Sequence, residues 1–352
     1  MVAVGPLLPG SGFSRVLRAV LGRLAGVWDV HLLGIGYSGP ECEFGGATLY
    51  PVNLAGGDVF GAFAAAKLVE ELDARVVLLV NDFWMLHPHL RTLAGGRARI
   101  VAYVPVDGRI VDDRYLAPLA AVDRFAAYTE FGRRELERWV DVPVSVIPHG
   151  VDTDMFRPVG PRPDGFVVLN ANRPLERKRI DLTLEGFTRF ARGKPPDVRL
   201  RLHHALDDPR HELAERVDVS TGVLSDEELN LVYNSCHVGV NTAMGEGWGL
   251  VSFEHAATGA AQIVPDSSAC AELWAGSAEV VPAEDTGVPR WSPLGMRTVS
   301  AEGVAAALER LYADRDHLQA LSDAAYRNAT HPRYSWDAIG EQWLALLDEV
   351  AA

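Results

Sequence analysis

Cysteine is scarce in this chain. Cys42, Cys236 and Cys270 are the only three in 352 residues, widely spaced and odd in number. They form no disulfide framework and show no metal-ligand spacing, so they read as buried free thiols in a reducing compartment. Long apolar runs are absent too. The longest, such as Val76–Val80, are far too short to cross a bilayer. The N-terminus has no basic segment followed by an apolar core, so a cytoplasmic location is the expectation. Positive charge is in deficit: the formal net charge is −14. This argues against nucleic acid as a partner and against broad binding to anionic lipid. There is no internal repeat and no low-complexity tail.

What is present is the composition of a soluble globular protein, 48% hydrophobic and 23% charged, long enough for two domains. Short apolar runs alternate with helix-like stretches. Val2–Val4, Val76–Val80, Ile100–Val104, Phe125–Tyr128 and Val144–Ile147 read as buried strands. Ser14–Leu24, Gly61–Leu72 and Arg133–Val140 read as helices among them. A second alternation runs Phe166–Asn170 (strand), Ile180–Ala191 (helix), Val198–His203 (strand), Asp226–Asn234 (helix) and Val238–Asn241 (strand). It continues through an apolar helical run, Leu250–Ala261, then Gln262–Pro265 (strand) and Val304–Ala313 (helix). The pattern predicts two doubly wound α/β domains with parallel sheets. The Pro- and Gly-punctuated stretch from Ile147 to Gly165 predicts the division, giving domains 1–148 and 149–330. Residues 331–352, with Trp336, Ile339, Trp343, Leu346 and Leu347 at helical spacing, predict a final helix.

Three stretches carry candidate chemistry. Residues 245–254 read Gly-Glu-Gly-Trp-Gly-Leu-Val-Ser-Phe-Glu. Glu246 falls in a glycine-rich turn, and Glu254 falls in the first turns of a helix opening near Gly249. Both carboxylates can then face one ligand, which the glycines let the backbone approach and the helix N-terminus suits for phosphate or sugar oxygens. The second stretch runs from Asn172 to Arg179 and follows a strand's carboxyl end. It places Arg173, Arg177, Lys178 and Arg179 within seven residues of an acidic chain, which is either a solvated basic turn or, as its place after a strand favours, a site for an anionic partner. The third, Pro9 to Arg15, sets glycines between a strand and a helix. It is either an ordinary turn or a place where backbone N–H groups reach phosphate. His203-His204 is no metal pair, because neighbours in a strand point to opposite faces.

The decapeptide at 245–254, with the following His-Ala-Ala-Thr-Gly-Ala, resembles the Glu-x7-Glu signature of family 4 retaining glycosyltransferases. The resemblance covers most of residues 145–275 and thins toward the N-terminus. It implies the GT-B architecture, two Rossmann-like domains facing across a cleft, with the last helix crossing back to the N-terminal domain. It implies a nucleotide diphosphate-sugar as co-substrate and no separate cofactor. On the donor side it implies Glu246, with Gly247, Trp248, Gly249, Leu250 and Val251, holding the sugar, and Glu254 holding the ribose. Arg173 and Lys178, assisted by Arg177, would grip the diphosphate, with Gly12 nearby. The backbone around Leu224 would hold the base, just before a helix that Ser225 and Glu228 cap as a box.

In the N-terminal half, family members often place a His after a middle strand, and Asp107 stands at that place. It either orients an acceptor hydroxyl or caps a turn. Asn81 and Asp82 follow another strand and are acceptor-side candidates. His149 stands where an Asn is common, and His237 where an Asp is common. No Asp-x-Asp motif lies near the diphosphate residues, so no metal is expected, Arg173 and Lys178 doing its electrostatic work. The acceptor, whether small molecule, glycan or lipid, is not legible. A bacterial natural-product or cell-surface glycan setting rests on analogy.

Three other readings stand beside this one. They are a sugar phosphorylase or nucleotide-sugar epimerase of the same fold, a non-catalytic nucleotide-sugar-binding subunit, and a peripheral enzyme acting on a lipid. The last rests on Arg15, Arg18 and Arg23 along an amphipathic helix, for which an ordinary surface helix is the favoured account.

Overall fold

The computed structural model describes residues 1–111, 113–204 and 216–352. The chain forms two compact units. One comprises Met1–Val106, Ile110–Gly150 and Trp336–Ala352; the other comprises Asp107–Arg109 and Val151–Ser335.

The first unit is built on an eight-stranded sheet. In spatial order its strands are Cys42–Phe44, Ala47–Pro51, His31–Ile35, Val2–Pro6, Val76–Val80, Arg99–Val104, Arg124–Ala127 and Val144–Val146. All neighbours are parallel except Cys42–Phe44, which runs antiparallel to Ala47–Pro51. Val76–Val80 is buried along its whole length, as an apolar strand covered on both faces must be. The helix Gly12–Leu24 buries Val16, Leu17, Val20, Leu21 and Leu24 at helical spacing. The last helix, Trp336–Ala351, packs against it. Gly340 makes the close approach possible: a Cβ there would stand 2.7 Å from the Arg23 side chain. Arg23 also donates to Asp337 at 3.1 Å, and Trp343 meets Tyr103 edge-on with ring centres 4.8 Å apart.

The second unit has a six-stranded, all-parallel sheet in the order Val217–Thr221, Val198–His204, Phe166–Asn170, Val238–Val240, Ala261–Pro265 and Glu279–Val281. An antiparallel hairpin, Ala283–Gly287 with Leu294–Val299, adjoins it. Phe166, Phe187, Leu200, Val238, Ile263, Val304 and Leu308 belong to one core between sheet and helices.

Several elements differ from the sequence reading. The helix expected over Leu250–Ala261 stops at Ala257, because Gly259 turns left-handed (φ 85°) and Ala261 already pairs in the next strand. The helix expected at Arg133–Val140 spans Glu130–Glu137, since the Thr129 hydroxyl caps it by accepting from the Gly132 N–H. His31–Ile35, Val217–Thr221 and the hairpin were not legible. They are short, and Val217–Thr221 is a half-exposed edge without an apolar run. Cys42 is exposed rather than buried. Among the described residues no helix is long and apolar enough to cross a membrane.

Candidate functional site

In the second unit the strand order reverses between Phe166–Asn170 and Val238–Val240, where open α/β sheets hold ligands at the carboxyl ends of their strands. The loops leaving these two adjacent strands are 171–179, with its four cations, and 241–249, the glycine-rich turn. Topology alone therefore brings the two motifs together.

Glu246 is the centre of the cluster and only 4% exposed. Its Oε1 accepts from Lys178 Nζ at 2.5 Å and from Asn241 Nδ2 at 3.1 Å, and its Oε2 accepts from Arg177 Nη1 at 3.3 Å. Its backbone N–H donates to Ser268 Oγ at 3.0 Å. Burial works to raise the Glu246 pKa, but Lys178 and Arg177, with the hydrogen bonds from Lys178 and Asn241, outweigh it and hold the group at about 2. Burial lowers the Lys178 pKa, with Glu246 opposing the shift and Arg177 adding to it. Two adjacent cations and three hydrogen-bond donors favour the ionised form of Glu246.

Arg177 does more than assist. Besides Glu246 it donates to the Gly245 carbonyl, and its Nε lies 3.4 Å from Asp107 Oδ2. Asp107 also accepts from the Gly247 backbone N–H, and burial is the main cause that raises its pKa. The sequence reading set Asp107 in the N-terminal domain; by contacts it belongs to the second unit. The chain at Gly245 passes so close that a Cβ there would stand 1.8 Å from the Asp107 carbonyl oxygen. Only glycine fits.

Arg173 is half-buried, and its Nε has no hydrogen-bond partner among the described residues. Its donors suit an anion arriving at the strand end. Arg179 instead turns back onto Asp181.

Gly249 adopts φ 94° directly before the helix Leu250–Ala257, a conformation suited to glycine. Trp248 enters the donor-side reading through its main-chain N–H, and its indole is packed away from solvent. Its side chain is 3% exposed, stacked on Phe253 with centroids 4.8 Å apart and edge-on to Tyr334. It is a core residue, and only its main chain faces the turn. Glu254 is buried and accepts from the Tyr233 hydroxyl at 3.0 Å. Leu250 and Val251 open the helix, half-buried.

Leu224 lies apart from the Glu246 cluster. It lines a cavity of about 250 Å³ with Arg201, Ser220, Glu228, Leu231 and Val232. Ser225 and Glu228 make both bonds of a capping box on the helix Asp226–Asn234. His203 bonds Ser220 and His204 bonds the Asn172 carbonyl, so the two rings serve different partners. His237 Nδ1 accepts from Val167 N–H at 3.0 Å, and burial brings its pKa to about 4. Among the described residues no group of three or more His, Cys, Asp and Glu is placed to hold a metal.

In the first unit, Gly12 opens the helix Gly12–Leu24 behind its cap Ser11, at the carboxyl end of Val2–Pro6. Asn81 and Asp82 leave the adjacent strand Val76–Val80, and Asn81 Oδ1 accepts from the Asp82 N–H. Here too the strand order reverses between the two strands. His149 is buried among Tyr103, Tyr128 and Trp336, and burial lowers its pKa to about 3.

Sequence reasoning missed Asn241, Ser268 and Tyr233. Asn241 had a usable signal, a polar residue at a strand's carboxyl end. Ser268, with its strained φ of 47°, had none.

The fold is that of the GT-B glycosyltransferases. Over 99% of this chain and 98% of the other it matches a sucrose-phosphate synthase from Thermosynechococcus elongatus (TM-score 0.78, 18% identity). With the same coverage it matches an Anabaena protein, HepE, in complex with UDP and glucose (TM-score 0.75, 12% identity). It likewise matches an α,α-trehalose 6-phosphate synthase from Burkholderia multivorans (TM-score 0.71, 15% identity). Residues 177–345 match the family model described as glycosyl transferase-like, a stretch holding Arg177, Lys178, Glu246 and Glu254. An MMP α-(1→4)-mannosyltransferase of Mycolicibacterium hassiacum is 24% identical over 216 residues, 59% of this chain. The chain spans about half, 48%, of that relative's length.

Proposed function

We propose that this chain is a retaining glycosyltransferase that moves a sugar from a nucleotide diphosphate-sugar to an acceptor hydroxyl without a metal. The observation that carries the reading is the buried Glu246, held between Lys178 and Arg177 in a glycine turn where the strand order reverses. In this reading Glu246 and the N–H groups of Gly247–Leu250 hold the sugar, and Glu254 accepts from the ribose hydroxyls. Arg173 and Lys178 receive the diphosphate. The backbone at Leu224 meets the base, and Asn81 and Asp82 serve the acceptor. Arg177 ties Glu246 to Asp107 and so fixes the turn that carries the sugar contacts.

As the sugar C1–O bond breaks, charge grows on the departing diphosphate, and the two cations stabilise it where it develops. The acceptor oxygen bonds to C1 on the same face, and its proton passes to the departing phosphate oxygen. UDP in the solved HepE structure makes uracil the first base to try, and the mannosyltransferase relative makes mannose one of the first sugars.

The test is transfer from a panel of nucleotide diphosphate-sugars to mixed acceptors, with the product's anomeric configuration read by NMR. A product that keeps the donor configuration, formed without added metal, supports the reading. Inversion, strict dependence on a metal, or cleavage that requires phosphate contradicts it. Donor binding without turnover on any acceptor favours the partner-subunit reading instead.

A further inference from the structure

A chain of fully buried polar groups lies beneath the cation loop and is not used by the proposed chemistry. Asn170, Thr183 and Thr242 are 1%, 0% and 0% exposed. Asn170 Nδ2 donates to Thr183 Oγ1 at 2.8 Å, and Thr183 Oγ1 lies 2.8 Å from Thr242 Oγ1. Thr242 Oγ1 in turn reaches the carbonyls of Lys178 at 3.0 Å and Arg179 at 2.8 Å. The direction of every bond follows from the donors available. A carbonyl only accepts, so the single Thr242 proton points at the loop and Thr183 must donate to Thr242. Thr183 then has its lone pairs free for Asn170. The Asn170 amide is oriented independently, because its Oδ1 accepts from the Asn172 backbone N–H at 3.0 Å. One asparagine therefore fastens the start of the loop at Asn172 and, through two hydroxyls, its end at Lys178 and Arg179.

What the chain restrains is a backbone that would otherwise relax. Arg179 has φ 45°, a left-handed conformation that a residue with a Cβ adopts at a cost. Asn241, the residue before Thr242, sends its side chain the other way, to Glu246. The dipeptide Asn241-Thr242 thus holds both sides of the Glu246–Lys178 pair, the carboxylate by its side chain and the lysine by its carbonyl.

We propose that Thr242 is a positioning residue: at the end of a one-way hydrogen-bond chain from Asn170 through Thr183, it holds the 172–179 loop so that Lys178 faces Glu246 and Arg173 faces an incoming diphosphate. The diphosphate half of this inference rests on the proposed function; the Lys178–Glu246 half does not.

The test compares Thr242→Val, which keeps shape but removes the hydroxyl, with Thr242→Ser, which restores it. Two readouts are taken, each on protein shown by circular dichroism to be folded. The first is the titration of the Glu246 carboxyl, followed by NMR with ¹³C-labelled glutamate and assigned through Glu246→Gln. The second is calorimetric binding of UDP, GDP, ADP and dTDP. In Thr242→Val the Glu246 titration moves upward from its wild-type position toward that of an ordinary glutamate, and nucleotide affinity falls at least tenfold. Thr242→Ser restores both. Unchanged Glu246 titration in Thr242→Val overturns the positioning role even if the variant is less stable. A wild-type chain that binds none of the four nucleotides contradicts the donor-site reading alone, and the Glu246 titration still decides the role of Thr242. If Thr242→Val does not fold, Thr183→Val, which breaks the chain one link earlier, is read the same way.

Discussion

Glu246 concentrates the electrostatics of the second unit, so it should hold its charge to a lower pH than an ordinary glutamate. Its folded pKa of about 2 lies below the ordinary 4.5. A carboxylate depressed in the folded state adds stability that is fully present above the ordinary pKa and is lost as pH falls through the folded one. The contribution is on the order of 3 kcal/mol. Urea unfolding of wild type and Glu246→Gln should therefore differ most above pH 4.5 and converge toward pH 2; a gap independent of pH would contradict the ion-pair account. Arg173 makes a separate prediction. Arg173→Ala should reduce turnover by orders of magnitude, and a loss below tenfold, about 1.4 kcal/mol, removes it from the diphosphate contacts. Gly245→Ala should be severely destabilising, because the new methyl meets backbone rather than a movable side chain. A melting temperature within a degree of wild type would show that the turn is not as tightly packed as described.

At the scale of elements, residue types were legible and side-chain directions were not. Glu246, Arg173 and Lys178 stood out by type and by position after strands. The bond between Glu246 and Lys178 did not, because 68 residues separate them and only the strand order joins their loops. The burial of the Trp248 indole was not legible, because a turn's sequence does not say which side chain folds under it, and here Phe253 and Tyr334 pack against the ring. The Thr183–Thr242 contact was invisible for the same reason as the ion pair. The capping box was legible because it is local, two residues three apart on one turn. It carries its own prediction: Ser225→Ala should cost about 1 kcal/mol in urea unfolding. An unchanged midpoint would mean that the helix Asp226–Asn234 is held by packing alone.

At the scale of the molecule, the alternation of short apolar runs with amphipathic stretches was enough to foresee two parallel α/β sheets. The hairpin and the edge strands lacked that signal, since half-exposed strands have no continuous apolar run. The placement of Asp107 also escaped the linear reading: three residues, Asp107–Arg109, leave the first unit to pack with the second. The central claim is that the second unit binds a nucleoside diphosphate through the loops 171–179 and 241–249. The most direct measurement is calorimetric titration of the whole chain, without metal, with UDP, GDP, ADP and dTDP, repeated on Arg173→Ala. The account predicts one-to-one binding of one of these nucleotides, weakened at least tenfold in the variant. No binding of any of the four, or binding that Arg173→Ala leaves unchanged, would contradict it.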